Sequence, residues 1–240
     1  MSRPKRVGVL ASGSGSNLQA LLDRFNLGDD SWARVAIVVG SRPGIGALDR
    51  ARAAAVPVAI APPPGPDSPV RSEAHAAYLL ERLEAAGVEL VVLAGYLRLI
   101  PREVVRAYWG RMINIHPALL PSFGGQGLYG RRVHEAVLAT GCRITGVTIH
   151  FVSEEYDRGP IVAQWPVPVF EDDDVPALAA RVLRVEHRLL PSVVHAVARG
   201  WVSLTREDRC VWSHPLYGQD GFSMPIDGAI PAPVAEPATG

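Results

Sequence analysis

Short, uniformly apolar runs alternate along this chain with segments of helical periodicity. VGVLA at 7–11 precedes the helical pattern LQALLDRF, and RVAIVV at 34–39 precedes a helical stretch at 47–55. Residues 56–61 read as a third strand, and a helix is expected at 72–86. LVVLA at 90–94 precedes a helix at 101–108 that carries Pro101 near its first turn, and MINI at 112–115 runs into His116 and Pro117. A strand that is apolar at every position must be covered on both faces. Repeated strand–helix alternation with right-handed crossovers therefore predicts an α/β fold: a doubly wound, mostly parallel sheet with helices on both faces. Two later runs, at 145–152 and 161–169, alternate in polarity and contain prolines, which suits antiparallel or edge strands. Helices are expected at about 133–139 and 176–199, the second bent at Pro191. The spacing gives one domain over 1–210, followed by a Pro/Gly/Ala-rich extension over 211–240 that reads as irregular.

In a doubly wound sheet, ligands bind outside the carboxyl ends of the strands. The unusual residues of this sequence fall there. SGSGSN follows the first strand. Such a turn presents backbone N–H groups and a helix N-terminus to an anion. It is neither a dinucleotide fingerprint, since Leu18 stands where a third glycine would be, nor a P-loop, since it lacks the lysine. Two readings stay open: a grip on a single phosphate, or a tight turn with Ser16 or Asn17 as helix cap. Asn114 and His116 lie two apart on a strand and so face one side. An amide donor beside an imidazole suits oxyanion stabilisation and proton handling. Asp157 lies in the turn-like segment SEEYDRGP. Spacing alone leaves open whether it reaches His116 or is solvated with Glu154 and Glu155.

Other chemistries are excluded more simply. No G-x-S-x-G elbow is present, and no histidine pair has a metal-binding spacing, so neither a serine hydrolase nor a metal site is expected. Formal net charge is zero, which advertises neither a nucleic-acid nor a membrane partner. Cys142 and Cys210 are the only cysteines, which fits a reduced, cytoplasmic protein. With 240 residues, 48% of them hydrophobic, the chain can bury a core without disulfides.

The segments SGSGSNLQAL, LVVLAGYLRLI, NIHPALLPSF, TGVTIHFVSEEYDRGPIVAQ and RVLRVEH resemble, in this order, the folate-dependent formyltransferases. GSGSN and the late EH point to the branch that acts on glycinamide ribonucleotide. The resemblance implies transfer of the formyl group of 10-formyltetrahydrofolate, a co-substrate, to the amine of that nucleotide in purine synthesis. It implies no metal, small-molecule partners only, and a monomer or homodimer. Carried over by position, it assigns catalysis to Asn114, His116 and Asp157. It assigns nucleotide binding to Gly15, Ser16, Asn17 and Glu186. Folate binding falls to Arg98, Leu99, Ile100, Asn114, Val152 and Asp157, and Asp157 is expected to favour the charged form of His116. Two features depart from the pattern. Ser72, with Arg71 beside it, stands where relatives place a phosphate-contacting arginine, and the loop FGGQGLYG is long and glycine-rich. The alternatives are a formyltetrahydrofolate hydrolase or another formyltransferase on the same fold, the tRNA-directed kind being disfavoured by the short stretch after Arg206. From a different class comes a non-catalytic folate- or nucleotide-binding module.

Overall fold

The computed structural model describes residues 3–63 and 69–213, apart from the side chains of 69–72. The stretch PPPGPDSP at 62–69, which reads as a loop because proline continues neither a helix nor a central strand, falls partly outside the described residues, and the expected irregular tail does so from residue 214 onward.

Seven strands form one sheet in the order β3-β2-β1-β4-β5-β6-β7. The parallel part contains β1 (Lys5–Ala11), β2 (Ala33–Gly40), β3 (Val58–Ile60), β4 (Leu90–Leu93) and β5 (Met112–His116). The sheet ends in β6 (Ile144–Phe151) and β7 (Ile161–Pro168), both antiparallel. Of these two, β7 is an edge strand and β6 lies between β5 and β7. Pro166 and Pro168 are on β7, where a missing N–H costs least.

Successive residues of the central strands feed opposite faces, as the period of a strand demands. Val7, Val9, Leu90 and Val92 join a core built with α1 (Ser16–Phe25), α2 (Gly46–Ala53) and α6 (Val175–Ala198). Leu10, Val91 and Leu93 join a second core built with α3 (Pro69–Ala85) and α4 (Arg102–Ala107). Each fully buried leucine contributes about 1.5–3 kcal/mol over its exposed state, so the two cores fix which face each strand residue takes. The helix α5 (Arg131–Thr140) joins the first core through Val137, and α6 runs through Pro191 as one helix.

A hairpin of β8 (Val202–Leu204) and β9 (Cys210–Trp212) closes the described chain. It crosses the boundary expected at residue 210. Trp212 donates its Nε1–H to the Val162 carbonyl at 3.0 Å, which ties the hairpin to β7.

Strand order reverses between β1 and β4, which makes the ends of these strands the topological switch point. The loops there are stitched together. Ser12 donates its N–H to the Gly95 carbonyl at 3.1 Å, and its Oγ accepts from the Leu97 N–H at 3.0 Å.

Candidate active site

Asn114 and His116 stand at the end of β5 and project to one side, as their spacing predicts. Asp157 reaches them from the β6–β7 connection. Its Oδ1 is 3.4 Å from Asn114 Nδ2, and its Oδ2 is 3.6 Å from His116 Nδ1. A fourth residue joins them. His150 pairs with Asn114 across the β5–β6 ladder, with its Nε2 3.1 Å from Asn114 Nδ2 and 3.5 Å from Asp157 Oδ1. Nothing in the spacing of the histidines picks out His150. The available signal is a histidine inside the apolar alternation TGVTIHFV, where a buried ring needs a partner.

The loop after β5 closes on the same groups. A carbonyl can only accept, so the 2.8 Å contact of His116 Nε2 with the Phe123 carbonyl places a proton on Nε2. Gly125 donates its N–H to Asp157 Oδ2 at 2.9 Å. Phe123 and Asp157 both have positive φ, 57° and 53°, a conformation that disfavours side chains. These two strained residues grip His116 from its two nitrogens, a placement common at functional sites. Gly159 explains how the connection turns so tightly: a Cβ there would lie 1.7 Å from the Phe151 carbonyl oxygen.

Burial sets the electrostatics. It pushes the His116 imidazole below its ordinary pKa, and the attraction of Asp157 only partly offsets this. Asp157 thus favours the charged form of His116, as expected, but desolvation wins, and the free site favours a neutral ring. Burial also opposes the charge on Asp157. The Gly125 N–H and the two neighbouring imidazoles outweigh it, so the carboxyl titrates below its usual range.

These four side chains open onto a cleft of about 370 Å³, a volume suited to a small-molecule ligand. Arg98, Leu99, Ile100 and Val152 line it, as do Gly125–Tyr129 of the glycine-rich loop. Ile100 and Val152 are buried in the core, Leu99 is exposed, and Arg98 is held by the Pro62 carbonyl at 2.9 Å.

The model of the formyl transferase family matches residues 5–194. The chain belongs to that family. A phosphoribosylglycinamide formyltransferase of Bacillus subtilis is 36% identical over 79% of this chain and 93% of its own length. A chloroplastic phosphoribosylglycinamide formyltransferase of Vigna unguiculata is 41% identical over 88% of this chain, which spans 64% of that protein's length. The crystal structure of glycinamide ribonucleotide transformylase 1 from Symbiobacterium toebii superposes with a TM-score of 0.79 at 40% identity, covering 88% of this chain and 95% of that one.

The residues that the family resemblance assigns to the nucleotide form a separate group. Gly15 caps α1 in the left-handed conformation, φ 78°, and no side chain caps that helix. The capping role considered for Ser16 or Asn17 is therefore not taken up. Both residues sit within the helix, and its first-turn amides lack a side-chain acceptor. Asn17 instead donates to Glu186 Oε2 at 2.6 Å, which joins α1 to α6. Burial raises the pKa of the Glu186 carboxyl, with Asn17 pulling the other way. Asn17 Oδ1 is buried with no partner. None of Gly15, Ser16, Asn17 and Glu186 lines the cleft that holds Asn114. The side chains of Arg71 and Ser72 lie outside the described residues.

Proposed function

We propose that this enzyme transfers the formyl group of 10-formyltetrahydrofolate to the amine of glycinamide ribonucleotide, a step of purine synthesis. The observation that carries this reading is the convergence of Asn114, His116 and Asp157 at one end of a cleft lined by Arg98, Leu99, Ile100 and Val152. The cleft takes the folate. The SGSGSN turn and Glu186 take the nucleotide, whose phosphate meets the uncapped amides of α1.

The neutral amine attacks the formyl carbon. A new C–N bond forms and the carbonyl pair moves to oxygen, giving a tetrahedral intermediate. Asn114 Nδ2–H donates to that oxygen. The bond from carbon to the folate nitrogen then breaks as that nitrogen takes up the proton the amine gives away. Asp157 and Nδ1 of His116 sit where this proton passes, and no covalent enzyme intermediate is required. Holding amine and formyl group together supplies much of the rate. We place the protein in the cytoplasm. Among the described residues no helix is long and apolar enough to cross a membrane.

The test is to mix purified protein with 10-formyltetrahydrofolate and follow folate absorbance. Rapid consumption only when glycinamide ribonucleotide is present is the expected result. Equal consumption with water alone would establish a hydrolase instead, and consumption dependent on charged initiator tRNA would establish the tRNA-directed reaction.

A further inference from the structure

His150 is buried near the end of β6, and its two nitrogens have different partners. Nδ1 is 2.8 Å from the Phe151 carbonyl, which can only accept, so Nδ1 carries a proton. In the neutral ring Nε2 is then bare. The group nearest to it is Asn114 Nδ2 at 3.1 Å, an amide donor. The hydrogen bond between them has one possible direction. It also has one compatible amide orientation, because a flipped Asn114 would set its carbonyl oxygen against the imidazole lone pair. One Asn114 N–H is thereby spent on His150. The other points toward Asp157 Oδ1, 3.4 Å away, and the cleft.

We propose that His150 is a positioning residue for formyl transfer: its bare Nε2 holds the Asn114 amide so that an N–H, not the carbonyl, faces the reacting oxygen. The chain of fixation starts at the Phe151 backbone, passes through the His150 tautomer and ends at Asn114. The proposal rests on the formyl-transfer reading above. A carbonyl turned toward a developing oxyanion would repel it, so loss of this hold falls on the transition state rather than on ligand binding.

The experiment has two arms. Single-turnover rates and ligand dissociation constants are measured for the wild type, His150→Phe, His150→Gln, Asn114→Ala and the His150→Phe/Asn114→Ala double variant. His150→Phe should slow turnover by about tenfold or more, short of the loss from removing an oxyanion donor outright, with dissociation constants little changed. His150→Gln should recover much of the rate, since its amide oxygen can accept where Nε2 did. In the Asn114→Ala background, His150→Phe should cost nothing further. An equal loss in both backgrounds, or no recovery with Gln, would overturn the proposal. The second arm needs no turnover. Nitrogen-15 NMR of the histidine side chains, with His150 assigned by its loss in His150→Gln, should show the neutral ring protonated at Nδ1. A neutral ring protonated at Nε2 would overturn the proposal by itself. A wild type inert toward glycinamide ribonucleotide would overturn the formyl-transfer reading, while this arm would still decide the tautomer.

Discussion

Gly125 donates its backbone N–H to the carboxylate of Asp157 at 2.9 Å, so the glycine-rich loop that lines the cleft is tied to the charge at the centre of the site. Both ends of the tie matter. The loop keeps Asp157 ionised, and Asp157 holds the loop over the cleft.

Asp157→Asn keeps an oxygen for Gly125 and removes the charge. Asp157 is what raises the His116 pKa against burial, so its loss should move that pKa further down. The pH limb belonging to His116 should shift to lower pH, and turnover should fall at every pH. Rates from acid to alkaline pH, with the His116 titration followed by NMR, check both points. A limb that moves upward would contradict the electrostatic account.

Gly15 is fixed by packing before any ligand is considered. A Cβ there would lie 2.5 Å from the Ala47 backbone, and its φ is positive. Gly15→Val should therefore cost about 3 kcal/mol of stability or more, read from denaturant unfolding. Gly13 is the cleaner probe of the turn, because a Cβ there meets nothing within 4 Å. Gly13→Val should leave stability within about 0.5 kcal/mol and weaken nucleotide binding selectively. Unchanged nucleotide affinity would argue against phosphate at this turn.

Arg181 holds Asp173 through two hydrogen bonds of 2.6 Å, and the Asp173 side chain is almost wholly buried. That pairing pulls the Asp173 carboxyl below its usual range. Its stabilisation is present above the unfolded carboxyl value, about 3.9, and is lost as pH falls through the lower folded value. Asp173→Asn should cost about 2 kcal/mol at neutral pH. The difference from the wild type should close in strong acid, as measured by urea unfolding at a series of pH values.

Trp212 anchors the final hairpin by one hydrogen bond and by packing against the main core. Trp212→Ala should lower stability by about 2 kcal/mol, less than the usual cost for a fully buried tryptophan. Folate affinity should stay unchanged, since no residue of the hairpin lines the cleft.

The parallel sheet was legible because strands buried on both faces leave an apolar signature that helices do not share. The placement of Asn114 and His116 followed from the two-residue period of a strand. The β8–β9 hairpin was not legible: VSL and CVW are too short to show a period, and the turn between them carries no glycine signal. The Asn17–Glu186 bond spans 169 residues, and no local pattern announces it. His150 was hidden because its importance comes from strand register opposite Asn114, which the sequence does not state. The balance between burial and Asp157 at His116 depends on solvent exclusion, which spacing cannot supply.

Single-turnover kinetics of Asn114→Ala, His116→Ala and Asp157→Asn, with dissociation constants for both ligands, test the central claim most directly. The charge these residues meet exists fully only in the transition state, so turnover of bound substrate should fall while binding changes far less. For Asn114→Ala the fall should be about a hundredfold or more. Asp157→Asn can also weaken folate binding through its loop. Variants that bind more weakly yet turn over bound substrate at the normal rate would show that Asn114, His116 and Asp157 form a binding site and do not carry the reaction.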